Sequence, residues 1–245
     1  MGATALIFPV NDTPDILDQF MADSVPGVAM DMLWAQGFRH FGSYFFRYSL
    51  QWDADTASHL TIQPLRLDAR VFKPSKNQRR VLSRNQDVQW QIGPAEVSAD
   101  VQALFHRHKS RFKNNIPSSI FDFISPDGPA EIPCPCLEFR AFVGDALIAV
   151  SYLSIGTDST SGIYGLFDPD HSDRSLGTLT LLKEIEHTSS LGHTFYYPGY
   201  STREPSAYDY KKRLAPLEYL DWTSGLWLPL NEPPREVTSP PHPQQ

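Results

Sequence analysis

The sequence predicts an α/β fold: a mixed sheet with flanking helices, preceded by a smaller α+β module. Three observations predict it. Two apolar, β-prone runs, "CLEFRAFV" and "ALIAVSYLSIG", flank a Gly-Asp pair, which is a hairpin signal. After them come "TSGIYGLFDPD", the helical pattern "SLGTLTLLKEIEHTSSLG" and "TFYYPGYST", in the order strand, helix, strand. The chain also has the means to bury a sheet: at 245 residues, with 41% hydrophobic and 12% aromatic content, it can fill one large core or two modest ones.

In chain order, a module over residues 1–65 opens with helical stretches at "TPDILDQFM" and "VPGVAMDMLWAQGF" and continues into the aromatic, strand-like "SYFFRYSLQW". The alternating "HLTIQPLRLDARVF" then feeds into "FKPSKNQRRVLSRN", where Pro74 suits a first helical turn and Ser75 a cap. A further helix begins near Ser98 and carries "HRHKSRFK"; His106 and His108, two residues apart, do not face each other and read as partly exposed positions. The polar, Pro-rich "NNIPSSIFDFISPDGPAEIP" connects to the strands already described. Leu176, Leu179, Leu182 and Ile185 form a helical stripe that Gly192 terminates. Residues 66–228 thus form the main domain, and the Pro-rich 229–245 a disordered tail.

Composition excludes several classes. No window approaches the roughly 18 apolar residues of a membrane span, and "MGATALIFPVNDTPDIL" has no basic region ahead of its short apolar run, so a soluble, cytoplasmic protein is expected. Cys134 and Cys136, in "PCPC", stand too close for an ordinary bridge and are too few for a zinc site, so they read as inert thiols. Trp34, Trp90 and Trp222 read as core aromatics.

Charge is distributed unevenly. Arg66 to Arg84 holds seven basic residues and one acid, a balance of +6 in a chain of net charge −7, which leaves −13 elsewhere. Lys76, Arg79, Arg80 and Arg84 recur at helical three- and four-residue steps and share a face where like charges repel. Such a face is either solvated or meets a polyanion such as nucleic-acid phosphate.

The element order of the second half is that of the GCN5-related acetyltransferase (GNAT) fold, in which two neighbouring strands splay beside a helix N-terminus. Helix starts favour anions, which makes "DHSDRSLGT" an active-site edge. A coenzyme A user carries Arg/Gln-x-x-Gly-x-Gly/Ala there; Arg174, Gly177 and Leu179 match two of the three positions. The chain as a whole resembles the arginyl-tRNA:protein transferases and their leucyl-transferring bacterial relatives. The resemblance rests on "QGFRHFGSYFFR", "RLDARVFKPSKNQRRVLSRNQDV", "GDALIAVSYLSI", "IYGLFDPDHSDRSLGTLTLLKEIEHTSSLG", "FYYPGY" and "YDYKKRLAPLEYL", in that order from about residue 30 to 222.

The resemblance implies transfer of an amino acid, arginyl or leucyl, from charged tRNA to an amine of a protein, a peptide or a small molecule. It places Lys73, Lys76, Gln78, Arg79, Arg80 and Arg84 against tRNA, with Arg174, Leu176, Gly177, Tyr200, Tyr210 and Lys211 also binding substrate or tRNA. Asp168, Asp170, Ser175 and Tyr197 are then the catalytic candidates. An aminoacyl ester is already activated, so the site must position an amine, take its proton and stabilise an oxyanion; no metal or organic cofactor is required.

Family members carry N-terminal cysteines associated with an iron-sulfur cluster or with substrate selection. "SYFFRYSLQWDADTASHLTIQPLRL" has none, and no such start stands near Ile7 to Asp12, so no cluster is expected; Lys212 and Arg213 also replace a usual glycine. Plainer readings stand beside these roles: Asp168-Pro169-Asp170 as a capped turn, Ser175 as a helix cap, and one of Tyr196 and Tyr197 as core. A coenzyme A dependent N-acetyltransferase and a non-catalytic tRNA- or protein-binding paralogue are the alternative functions.

Overall fold

The computed structural model describes residues 13–53, 56–112, 116–206 and 209–230. The last residue of "HRHKSRFK", the segment Ile7 to Asp12 and the tail beyond Leu230 lie outside the described residues.

The first module is a three-stranded antiparallel sheet, in which β1 (Leu17–Met21) and β2 (Arg39–Phe41) flank β3 (Tyr44–Tyr48), with α1 (Gly27–Ala35) between β1 and β2. The helix expected over "TPDILDQFM" is therefore a strand in its second half. Its local preference is overridden by pairing with β3: Phe20 stacks on Phe45 at 4.8 Å, and Asp18 pairs with Arg47 at 2.7 Å. Helix α1 forms as expected, burying Met30 and Trp34.

The remaining strands make one nine-stranded sheet: β4 (Leu50–Asp53), β5 (Ser58–Asp68), β6 (Gln89–Pro94), β7 (Cys136–Val143), β8 (Ala146–Ile155), β9 (Ser159–Phe167), β10 (Phe195–Thr202), β11 (Glu218–Leu220) and β12 (Trp227–Pro229). Its order is β6-β7-β8-β9-β10-β5-β11-β12, with β4 paired to β5. The Gly-Asp pair is the β7–β8 turn, with Gly144 at φ 56°. The expected boundary at residue 65 falls inside β5, a single strand from Ser58 to Asp68 that pairs with β10 from Ile62 to Asp68. Pro229, expected to open the tail, is the last residue of β12.

Helices cover both faces. On β8, Val150 and Tyr152 pack with Val101, Leu104 and Phe105 of α3 (Ala99–Lys109), which Ser98 caps. The α4 helix (Leu176–Ser190) covers the other face, where Leu181, Leu182 and Ile185 meet Leu65, Leu67, Phe139 and Leu153. A buried leucine in such a contact, cut back to alanine, costs about 2–5 kcal/mol. The stretch expected as a bare connector contributes Ile120 and Ile124 to the α3 core. Cys134 and Cys136 are free and buried, and burial pushes the Cys134 thiol up to about 11, so neither is reactive near neutrality. Trp34 is buried, Trp90 packs against the core, and the Trp222 indole donates to the Ile62 carbonyl. Among the described residues no helix is long and apolar enough to cross a membrane.

Candidate active site

Every adjacent pair in the large sheet is antiparallel except β9 and β10. These two run parallel and pair only at Ser159–Ser161 against Phe195–Tyr197; beyond that they part. The gap exposes carbonyls that a neighbouring strand would otherwise satisfy, and the first module supplies the substitute. Arg39, buried, donates to Gly162 O at 2.9 Å and Ile163 O at 3.0 Å. Gly199 on β10, at φ 95°, makes room: a Cβ there would lie 1.4 Å from Arg39 Nη1.

A cavity of about 590 Å³ opens beside this gap. Its lining includes Gly162 to Gly165 on β9, Ser175 to Thr178 at the start of α4, and Tyr210 and Lys211 on the loop after β10. An outer wall is made by His108, Arg111, Phe112 and Phe167, with the Arg111 guanidinium 4.3 Å from the Phe167 ring centre. Ser175 adopts a left-handed conformation (φ 55°, ψ 45°) and its side chain caps nothing. The N–H groups of Leu176 and Gly177, in the first turn, lack the carbonyl four residues back and can receive an anion.

Sequence reasoning missed what lies at the cavity floor. Glu184, only 2% exposed, accepts a hydrogen bond from the Tyr196 hydroxyl. Gly162 permits this pair to lie against β9, because a Cβ there would sit 2.8 Å from Glu184 Oε2 and 2.9 Å from Tyr196 Oη. Burial raises the Glu184 carboxyl to about 7 against the smaller opposing pull of Tyr196, Lys211 and Arg39. Burial likewise lowers the Lys211 ammonium to about 7, with Arg39 acting in the same direction and Glu184 against it. The signal was present in the helix pattern: Gly177, Thr180 and Glu184 follow one face at steps of three and four, a carboxylate aligned with two small residues. Arg39, inside the quoted "QGFRHFGSYFFR", carried no such cue.

The structure brings together some expected residues and disperses others. Ser175, Leu176, Gly177, Tyr210 and Lys211 all line the cavity. Asp168 is outside the lining; it pairs with Arg107 at 2.8 Å and accepts from the Asp170 N–H, so "FDPD" is a capped turn. Asp170 is exposed on that turn. Tyr197 points into the first module, between Trp34 and Trp227, where burial pushes its hydroxyl up to about 12. Tyr200 does not offer a stacking face in the cavity: its hydroxyl donates to Gly37 O at 2.6 Å. Alternation along β10 leaves Tyr196, not Tyr197, facing α4. His108, expected partly exposed, is buried, with Nδ1 2.9 Å from the Phe167 N–H nitrogen; burial lowers it to about 4 and keeps it neutral. Among the described residues no three His, Cys, Asp or Glu side chains converge as a metal site would require.

The basic helix, α2 (Lys76–Arg84), is tied to both loops that edge the cavity. At its start Gln78, buried, closes a capping box with Ser75 and donates to Arg213 O at 3.0 Å, two residues past Lys211; it is a structural contact and not a tRNA-facing one. At its end Arg84 donates to Asp173 O, and Asn85 to Arg174 O at 2.9 Å, next to Ser175. Arg174 is itself held by both oxygens of Asp87, at 2.8 and 2.9 Å. Lys73, Lys76, Arg79, Arg80 and Arg84 are exposed.

The family described as "Arginine-tRNA-protein transferase, C terminus" matches residues 99–221, just over half of the chain. The chain belongs to the aminoacyl-tRNA:protein transferase family. By that membership it is an acyltransferase. Curated relatives named aspartate/glutamate leucyltransferase include those of Gluconacetobacter diazotrophicus, 32% identical over 69% of this chain and 65% of that one. The protein of that name from Stenotrophomonas maltophilia strain K279a is 28% identical over 79% of this chain and 84% of its own length. This transferase thus spans just under two thirds of the first relative and most of the second. A solved structure of L-PGS from Bacillus licheniformis aligns at a TM-score of 0.44 and 11% identity, over 77% of this chain and 55% of that one.

Proposed function

We propose that this protein moves an aminoacyl group from charged tRNA to the amine of a protein or peptide. One observation carries the reading: the exposed cations of α2 ride on a helix pinned to both edges of the cavity, at Asp173–Arg174 and at Arg213. Phosphates held on α2 would place the attached 3′ end beside the first turn of α4, whose free N–H groups suit an oxyanion. Lys73, Lys76, Arg79, Arg80 and Arg84 bind the backbone in this reading. Ser175, Leu176 and Gly177 hold the ester, and Tyr210 and Lys211 line the far wall. The reaction occurs where charged tRNA is found, in the cytoplasm.

The relatives' printed name favours leucyl transfer to aspartate or glutamate, and the family's name favours arginyl transfer. An acidic acceptor side chain would meet Arg111 at the cavity wall. A coenzyme A role is disfavoured by Arg174, whose guanidinium Asp87 holds, and by Leu179, buried in the core where the pyrophosphate loop needs a small residue. The test is incubation with a mixture of charged tRNAs, with and without peptides bearing N-terminal Asp or Glu. Peptide-dependent deacylation of one tRNA is expected. Acetyl transfer from acetyl-coenzyme A with no deacylation would overturn the proposal.

A further inference from the structure

We propose that Glu184 is the catalytic residue that takes the proton from the attacking amine, an inference that rests on the transferase reading. It lines the cavity at the point where β9 and β10 part, on the same helix whose first turn offers free N–H groups. Its backbone surroundings are built for it: glycine at 162 leaves the carboxylate against β9, and Tyr196 donates to one oxygen. Asp168 and Asp170 are absent from the cavity lining, whereas Glu184 is part of it.

The step balances without any further reactant. The amine nitrogen bonds to the ester carbon, and a proton of the amine passes to the Glu184 carboxylate. The carbon–oxygen ester bond then breaks with its electron pair going to the ribose oxygen. That oxygen receives the proton from Glu184, which returns to the carboxylate. A base that titrates close to working pH is matched to both halves of such a shuttle, and Glu184 is raised to about 7 by its burial. The charged and titratable groups facing it are Tyr196 on β10, Lys211 on the loop after β10, Arg39 on β2 and Cys136 on β7. Tyr196 is a positioning residue: its hydrogen bond favours the ionised carboxylate.

The experiment is single-turnover transfer from leucyl-tRNA, and in parallel arginyl-tRNA, to a peptide with N-terminal glutamate, across pH 5.5 to 9. The wild type is expected to show a rate rising about tenfold per pH unit below an inflection near 7. Glu184→Gln, nearly isosteric, should bind tRNA as the wild type does, lose about 10²- to 10⁴-fold in rate and lose the inflection. Tyr196→Phe removes a group that favours the ionised carboxylate, so its inflection should move upward. Transfer by Glu184→Gln within threefold of the wild type overturns the role of Glu184 and leaves the transferase reading intact. No transfer by the wild type from either donor overturns both. If Glu184→Gln does not fold, Tyr196→Phe decides: an unmoved inflection sinks the proposal.

Discussion

Gly199→Ala is the sharpest probe of the packing that holds the cleft open. The new Cβ would lie 1.4 Å from Arg39 Nη1 and 2.6 Å from its Cζ, and the guanidinium must leave. Its departure strips hydrogen bonds of 2.9 and 3.0 Å from the Gly162 and Ile163 carbonyls. Hydrogen bonds from a charged group are worth about 1.5–3 kcal/mol each. A positive φ for alanine adds roughly 1 kcal/mol. Together these give about 4–7 kcal/mol, a large part of the roughly 5–15 kcal/mol by which a domain is stable. Urea denaturation measures it, and a double-mutant cycle with Arg39→Leu isolates the cause. With leucine at 39 the space is open, so Gly199→Ala should then cost only about 1 kcal/mol. Equal cost in both backgrounds would refute the claim that Arg39 is what Gly199 accommodates.

Three further outcomes are expected. Replacing Lys76 and Arg80 with Glu should reduce the slope of log tRNA affinity against log salt by about 0.7–0.9 for each phosphate that the helix no longer neutralises, read by filter binding, whereas Gln78→Ala should lower Tm more than it changes that slope. Asp168→Asn, which keeps an acceptor for the Asp170 N–H and loses only a partly exposed ion pair with Arg107, should cost less than about 1 kcal/mol and change transfer less than threefold, since the side chain lies outside the cavity; a hundredfold loss would return it to the reaction. His40 and His108 are both lowered from 6.5 to about 4 by burial, so the folded state binds fewer protons than the unfolded one in that interval. Stability should therefore be complete above pH 6.5 and fall through it toward pH 4, by as much as about 3 kcal/mol for each histidine, and His108→Gln should flatten this part of the Tm profile.

The strands between Cys136 and Thr202 and α4 were legible because their signals are local: a Gly-Asp turn between alternating runs, and a leucine stripe at helical spacing; the short β11 and β12, which carry no such signal, were not. β1 was not, since pairing with β3 decides it and no pattern within "TPDILDQFM" reports that partner. The same division holds in the site. Ser175 to Gly177 and Tyr210 to Lys211 sit where loops meet helix ends, and motif order finds them. Asp168 misled because a carboxylate at a strand end serves equally to cap a turn, and only the placement of Arg107 decides between the roles. Glu184 was visible as a charged residue on a buried face, but its significance depends on Gly162 and Tyr196, distant in sequence and joined only by the sheet.

The continuity of β5 bears on how the protein can be taken apart. A chimera cut at residue 65 would divide a strand that pairs with β10 on one side and with β11 on the other, and would leave half of it in each donor. Outside β5 and its hairpin partner β4, the joint would have to fall at Ser49, between Tyr48 and Leu50, itself buried and hydrogen-bonded to Ile16 on one side and to Ile62 on the other. Even there the exchanged piece must bring an arginine at 39 to meet the glycine at 199, so the small module and the cleft are inherited as a matched pair.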